Sequence, residues 1–193
     1  MKLVLASTSP RRTALLDEAG FRYETRPHSV VEENAGNSFK VVVDNALGKA
    51  RSAVSGPGEI ILGFDTLVIC NGELLGKPRD GEEARRMLKL QLQHPQEVVT
   101  GVAVIDTTKD REYTGYEISK VVMNGSEEVL DDYLGSELWK GKAGAFGIQD
   151  RGQLQTELVF GEEDNVMGLP MTLLKRMLAL VGFEYPGRTP SGE

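Results

Sequence analysis

A mixed α/β fold, with helices flanking a mixed rather than purely parallel sheet, is what this sequence predicts, and three observations carry the prediction. Short apolar runs such as Leu3-Val4-Leu5-Ala6 and Ile60-Ile61-Leu62 read as buried strands, and between them lie segments whose apolar residues recur at helical spacing. Asn71-Gly72 between two apolar runs is a strong two-residue hairpin signal, which sets antiparallel strands side by side. Strands and helices mix throughout, yet without the regular strand–helix–strand alternation of a doubly wound sheet.

The first strand, residues 3–6, leads into Ser7-Thr-Ser-Pro-Arg-Arg12, which reads as a hydroxyl-rich turn and a helix with Ser9 as N-cap and Pro10 at its first position. Ala14, Leu15, Leu16 and Ala19 form the helix body and Gly20 closes it. A short strand near 21–26 and a polar stretch to Asn37 follow; Ser38 then reads as the N-cap of a second helix carrying Phe39, Val42, Val43, Ala46, Ala50 and Ala53. Ser55-Gly-Pro-Gly58 breaks that helix, and a strand from Ile60 runs through Gly63-Phe-Asp-Thr66 to the hairpin, returning to Gly76-Lys-Pro78. Asp80 with Glu83 resembles a capping box, before a helix with Ala84, Met87, Leu88 and Leu92 on its apolar face. Residues 98–105 and 112–123 read as long strands joined by a turn at 107–110. A helix at 126–134, a small-residue loop at 142–149, a strand pair and a last helix at about 170–180, stopped by Gly182, complete the chain. The expected organisation is one domain over 1–185 with a frayed tail at 186–193.

The 193 residues are ample for a real core, and the net charge of −7 argues against broad nucleic-acid or anionic-membrane binding. Any phosphate site must therefore be local. Cys70, the single cysteine, excludes an internal disulfide and reads as core, and His28 and His94 lack metal-ligand spacing. No apolar stretch approaches the roughly 18 residues of a membrane span and no signal-peptide pattern opens the chain, so a cytoplasmic protein is expected.

Arg11 and Arg12 sit in a first helical turn, where cations oppose the helix macrodipole by roughly 0.3–1 kcal/mol each. A bound phosphate reverses that sign, because amides, hydroxyls and both guanidinium forks converge on one anion. Asp65 interrupts an apolar strand, where a carboxylate must be paired, hydrogen-bonded or near a metal; an Asp bonded to the local backbone and Thr66 meets the same demand. Lys49, beside Gly48, and Lys77, in Gly-Lys-Pro, are either ligand cations or members of a solvated face, and Lys142 is equally ambiguous. Glu32 and Glu33 lie in a polar loop. Acids beside a phosphate site suggest Mg²⁺, held by one or two carboxylates and the substrate's own phosphates. No Walker A or Rossmann fingerprint is present, so ordinary kinase and dehydrogenase readings fail.

Taken together, Leu5-Ala-Ser-Thr-Ser-Pro-Arg-Arg12, Lys49-Ala50, Gly63-Phe-Asp-Thr66, Gly76-Lys-Pro78, Thr100-Gly-Val102, Lys142-Ala-Gly-Ala-Phe-Gly-Ile-Gln149 and Val166-Met-Gly-Leu-Pro170 resemble, in that order, the Maf family of nucleotide pyrophosphatases. The resemblance implies a hydrolase that cleaves a nucleoside triphosphate between its α and β phosphates. It implies a fold similar to the inosine triphosphate pyrophosphatases: a long, bent mixed sheet, helices on both sides, and a cleft between two lobes. It also implies a homodimer, a divalent cation (Mg²⁺ or Mn²⁺), and a cytoplasmic role in nucleotide-pool house-cleaning. The family is named for a link to septum formation.

Carried over by position, the resemblance makes Ser7, Arg11 and Arg12 phosphate-binding, and sets Lys49 and Lys77 against the triphosphate. Asp65 becomes the proton acceptor, and Glu33 with Glu32 the metal-binding loop. Arg11, Thr66 and Gln149 match the branch acting on dTTP and UTP, whereas 7-methyl-GTP hydrolases resemble one another in an aromatic, a Gln and a Glu there. The Gln149 amide offers the donor and acceptor that the O4 and N3–H edge of uracil or thymine demands. The chain departs from the family in lacking the Ser-Gly pair ahead of His94, in Phe146 for Tyr, and in Asp150-Arg151 where Gly is usual. Alternatives are a nucleotide-binding regulator of cell division that acts without turnover, or the same chemistry on 7-methyl-GTP or ITP. Intact Asp65, Lys49 and Lys77 favour the enzyme.

Overall fold

The computed structural model describes residues 1–33, 36–148, 150 and 154–186. Its elements run β1 (Lys2–Leu5), α1 (Pro10–Glu18), β2 (Glu24–Thr25), α2 (Ser38–Ser52), β3 (Glu59–Cys70), β4 (Glu73–Leu75) and α3 (Gly81–Gln93). There follow β5 (Gln96–Asp106), β6 (Arg111–Asn124), α4 (Glu127–Gly135), a 3₁₀ turn (Ala143–Ala145), β7 (Gln155–Phe160), α5 (Glu163–Val166) and α6 (Met171–Leu180). The strands form one open seven-stranded sheet in the order β2-β1-β3-β5-β6-β7, with β4 alongside β3. β1 runs parallel to β2 and β3, and the remaining pairings are antiparallel. The mixed sheet with flanking helices is as the sequence predicts.

Three long strands, β3, β5 and β6, carry two cores on one face. Near the start of β3, Ile60, Leu62 and Phe64 pack with Val102 and Val104 under Leu16 of α1 and Leu174 and Leu178 of α6. Towards its end, Val68, Cys70, Val98 and Val121 pack under Met87 and Leu88 of α3 and Leu130 and Tyr133 of α4. Thr66 and Thr100, paired across β3 and β5 and hydrogen-bonded through their hydroxyls at 3.1 Å, form the polar row between the two cores. The opposite face is covered by α2, whose Ala46 and Ala50, with Ala53 just past its end, lie on Val4, Ile61, Ala103 and Ile105.

α2 lies against the sheet because two strand positions have no side chain. A Cβ on Gly63 would stand 2.1 Å from the carbonyl oxygen of Ala46, and one on Gly101 would stand 2.2 Å from that of Val42. These are glycines of close approach.

Local chemistry departs from the sequence reading at three helix starts. Asn37, not Ser38, caps α2, its carboxamide reaching forward to accept from the amides of Phe39 and Lys40 at 3.1 Å. Ser9 occupies the cap position of α1, but no side-chain cap bond forms; its own N–H donates to Ser7 Oγ at 3.1 Å. Asp80 caps α3 through the Glu83 amide, while the Glu83 carboxylate accepts from the Arg79 N–H. Of the strand pair expected after Gln149, the described residues contain β7, paired with β6. Pro186, at the start of the expected tail, packs near Gly20, and residues 187–193 lie outside the described residues.

Candidate active site

The sheet splits along one side of β3. β1 reaches Leu62, where the Ala6 amide donates to the Leu62 carbonyl at 2.8 Å, and β4 joins at Val68. Between them, Asp65 and Thr66 face a cavity of about 480 Å³. Asp65 stands at the centre of this gap and is 4% exposed. Lys49, 2% exposed on α2, fills the gap from the helix side, donating from Nζ to Asp65 Oδ1 at 2.6 Å and to the Phe64 carbonyl at 3.3 Å. Asn45, one turn earlier on α2, donates to Asp65 Oδ2 at 2.8 Å. Each carboxylate oxygen thus has one partner and retains acceptor capacity towards the cavity. The two close-approach glycines hold α2 where both donors can reach.

The α1 end supplies the cations. Arg12 is locked by donation from Nε to the Gly168 carbonyl at 2.8 Å, and from Nη1 to Ser7 Oγ at 3.2 Å. Its Nη2 donates to Thr66 Oγ1 at 3.3 Å. Gly168 adopts φ +96°, and a Cβ there would meet Thr66 Oγ1 at 2.9 Å. Burial lowers the Arg12 guanidinium to about 10, with Asp65 pulling the other way, so it stays charged at neutral pH. Ser7 and Arg11 line the same cavity, beside the first-turn amides of α1. A partly desolvated guanidinium, hydroxyls and helix amides facing one space make an anion site.

Across the gap, the 28–33 segment closes the site. Asn45 holds it by the backbone, accepting from the Glu33 N–H at 3.0 Å and donating to the Glu33 carbonyl at 2.9 Å. That places Glu32 Oε1 2.7 Å from Lys49 Nζ and Oε2 3.9 Å from Lys77 Nζ. Desolvation works to raise Glu32, but the Lys49 bond and the charges of Lys49 and Lys77 outweigh it and hold Glu32 below the ordinary range. Glu33 is exposed, and its backbone rather than its carboxylate meets the site. Lys77 is an exposed cation at the rim. Among the described residues no group of three or more His, Cys, Asp or Glu side chains forms a metal cage. A Mg²⁺ that keeps its waters and the substrate's phosphates asks for fewer protein ligands, and Glu32 Oε2, 3.9 Å from its cation, suits it.

The cavity continues over the sheet face towards α3 and α4. Val68, Val98, Val121, Phe146, Ile148 and Val166 make that end apolar. Lys142 reaches the wall paired with Asp150, which also accepts from Tyr133 OH at 2.7 Å; burial and this acid hold the phenol well above its ordinary range. Gln149 lies outside the described residues.

The structure thus gathers Ser7, Arg11, Arg12, Glu32, Lys49, Asp65, Thr66 and Lys77 around one cavity and leaves the Glu33 side chain outside it. Sequence reasoning missed Asn45, which reads as an ordinary polar position on a helix. It also missed His28, which lines the cavity and is kept low by burial and by Lys49. A third miss is Asn165, whose carbonyl accepts from Thr100 Oγ1 at 3.0 Å and whose amide donates to the Val98 carbonyl at 3.2 Å, bracing the threonine row.

Comparison with known proteins identifies the family. A family model described as Maf-like protein matches residues 2–181. Relatives named dTTP/UTP pyrophosphatase include one from Elusimicrobium minutum, 39% identical over 95% of this chain and 100% of its own length. One from Pyrococcus furiosus is 36% identical over 93% of this chain and 95% of the relative. Another, from Bacillus cereus, is 40% identical over 92% and 94%. With that match running from β1 through α6, over every residue that surrounds the cleft, the chain belongs to the Maf family.

Proposed function

We propose that this protein is a nucleoside triphosphate pyrophosphatase that hydrolyses dTTP and UTP to the monophosphate and pyrophosphate. The observation that carries the reading is Asp65, buried at the split of the sheet, oriented by Lys49 and Asn45, and facing a cavity rimmed by Arg11, Arg12 and Lys77. The names of the relatives supply the substrate class.

In this reading Asp65 orients a water and takes its proton as the water oxygen bonds to the α-phosphorus. The α–β bridging P–O bond breaks, and its electron pair leaves with pyrophosphate. Arg12, Ser7 and the α1 amides bind the phosphate chain, with Arg11 and Lys77 neutralising the charge that gathers on the leaving group. Lys49 holds Asp65 in place, and its shared contact with Glu32 couples the acid to the 28–33 segment. A divalent cation held by Glu32 with the substrate's phosphates would supply further charge neutralisation. Mg²⁺ or Mn²⁺ is the expected ion, and the relation to other Maf proteins suggests a homodimer. Thr66, Arg11 and Gln149 favour the pyrimidine branch over 7-methyl-GTP.

The test is pyrophosphate release with Mg²⁺ from dTTP, UTP, CTP, 7-methyl-GTP and ITP. Preferential turnover of dTTP and UTP is expected. Preference for 7-methyl-GTP or ITP would overturn the substrate, and no turnover with retained nucleotide binding would overturn the enzyme.

A further inference from the structure

Two glutamines lie against the apolar end of the cleft, and their amides are treated differently. Gln91 of α3 is buried, and its Nε2 donates to the Met87 carbonyl at 3.0 Å and the Gly144 carbonyl at 2.6 Å. Gln96, the first residue of β5, is 4% exposed and lines the same cavity, yet its Nε2 has no hydrogen-bond partner among the described residues. A buried amide donor with nothing to donate to is costly, and a native fold retains one where something else completes it.

Its place on the sheet says what that is. Gln96 pairs with Cys70 on β3 and Val121 on β6, and by strand alternation shares a face with Val98 and Thr100. Asp65 pairs with Gly101, five residues further along β5, which is about 17 Å at the rise of an antiparallel strand. A nucleotide whose α-phosphate is at Asp65 therefore lays its base over Val68, Val98 and Val121, towards Gln96. In a pyrimidine the C4 substituent is the ring position most remote from the ribose, so it reaches deepest. Thymine and uracil carry a carbonyl there, an acceptor; cytosine carries an amino group, a donor.

We infer that Gln96 is a specificity-determining residue whose side-chain N–H donates to the O4 carbonyl of thymine or uracil and rejects cytosine. This rests on the pyrophosphatase reading above and adds a second amide to Gln149. An amide committed elsewhere, as Gln91 is, could not play the part. No described residue partners that donor; in this inference its partner arrives with the substrate.

The test compares wild type with Gln96→Leu and Gln96→Glu, measuring pyrophosphate release from dTTP and CTP with Mg²⁺, together with thermal unfolding of the free protein. Leu removes the donor and keeps an apolar wall, so the preference for dTTP over CTP shrinks about tenfold, the size of one lost discriminating hydrogen bond. The change is carried by a higher KM for dTTP, with kcat much less affected, and the free Gln96→Leu protein unfolds at or above the wild-type temperature. Gln96→Glu replaces the donor with an acceptor and shifts preference towards CTP further than Leu does. An unchanged dTTP/CTP ratio in folded variants overturns the inference, as does an equal loss on both nucleotides with a lowered unfolding temperature, the mark of a structural residue. Wild type that releases no pyrophosphate from dTTP overturns the parent reading instead.

Discussion

At the scale of single residues, the site is organised around a carboxylate that local structure has no use for. Asp65 sits in a largely apolar strand, between buried Phe64 and Thr66 of the polar row, and its two oxygens are held by Lys49 and Asn45 at 2.6 and 2.8 Å. Asp65→Asn keeps the size and removes the proposed base. Its kcat falls by about 10²–10⁴, while calorimetry still detects dTTP binding; wild-type turnover would refute the assignment. Asn45→Ala removes the donor to Asp65 and both bonds to the Glu33 backbone. Denaturant unfolding should register a loss of about 1–3 kcal/mol, the cost of leaving buried polar groups unpaired. Asp65, Arg11 and Arg12 were legible in the sequence because each contradicts its surroundings: an acid in an apolar strand, cations at the wrong end of a helix dipole. Asn45 was not, since an asparagine on a helix breaks no rule until the helix is set against a strand. Gln96 was silent for the same reason, as the missing partner of a buried amide is visible only in three dimensions.

At the scale of elements, the close approach of α2 to β3 and β5 positions both donors to Asp65. Gly63→Ala or Gly101→Ala would drive a methyl to within 2.1 or 2.2 Å of helix carbonyls, so α2 must lift from the sheet. About 1–3 kcal/mol of stability is lost, and activity falls with it because Lys49 and Asn45 move together. Equal stability and kcat in either variant would contradict this account. A second junction ties β2 to β3: Arg26 makes a two-pronged bond to Glu59 at 3.2 and 2.9 Å, and the Ser55 amide and hydroxyl also bond that carboxylate. Arg26, against the opposing effect of burial, brings Glu59 down to about 2, with Ser55 adding to the pull. A carboxylate lowered in the folded state stabilises above its unfolded value and loses that contribution as pH falls through the folded value. Melting temperature should therefore drop between about pH 4.3 and pH 2 more steeply in wild type than in Glu59→Gln. The elements themselves were largely legible from apolar periodicity and from the Asn71-Gly72 turn, where φ is +49° and +77°. The split of the sheet was not, because no local signal says that β1 stops at Leu62 and β4 starts at Val68.

At the scale of the whole molecule, three long strands carry two cores on one face and a polar seam between them, and the cleft opens over that seam. The cations of α1 and the acidic 28–33 segment meet there with the apolar wall beneath α3 and α4, so a nucleotide bridges the two cores. Saturating dTTP added to Asp65→Asn, which consumes it far more slowly than wild type, should raise the melting temperature; at a hundred times Kd the gain is about 2.7 kcal/mol. Thymidine at the same concentration should give far less, since Arg11, Arg12 and Lys77 then have no phosphate to hold. The central claim is that Asp65 directs water to the α-phosphorus. Its most direct test is hydrolysis of dTTP with Mg²⁺ in ¹⁸O-labelled water, with mass analysis of both products. The account predicts label in dTMP and unlabelled pyrophosphate; label in pyrophosphate, or formation of dTDP and phosphate, would contradict it.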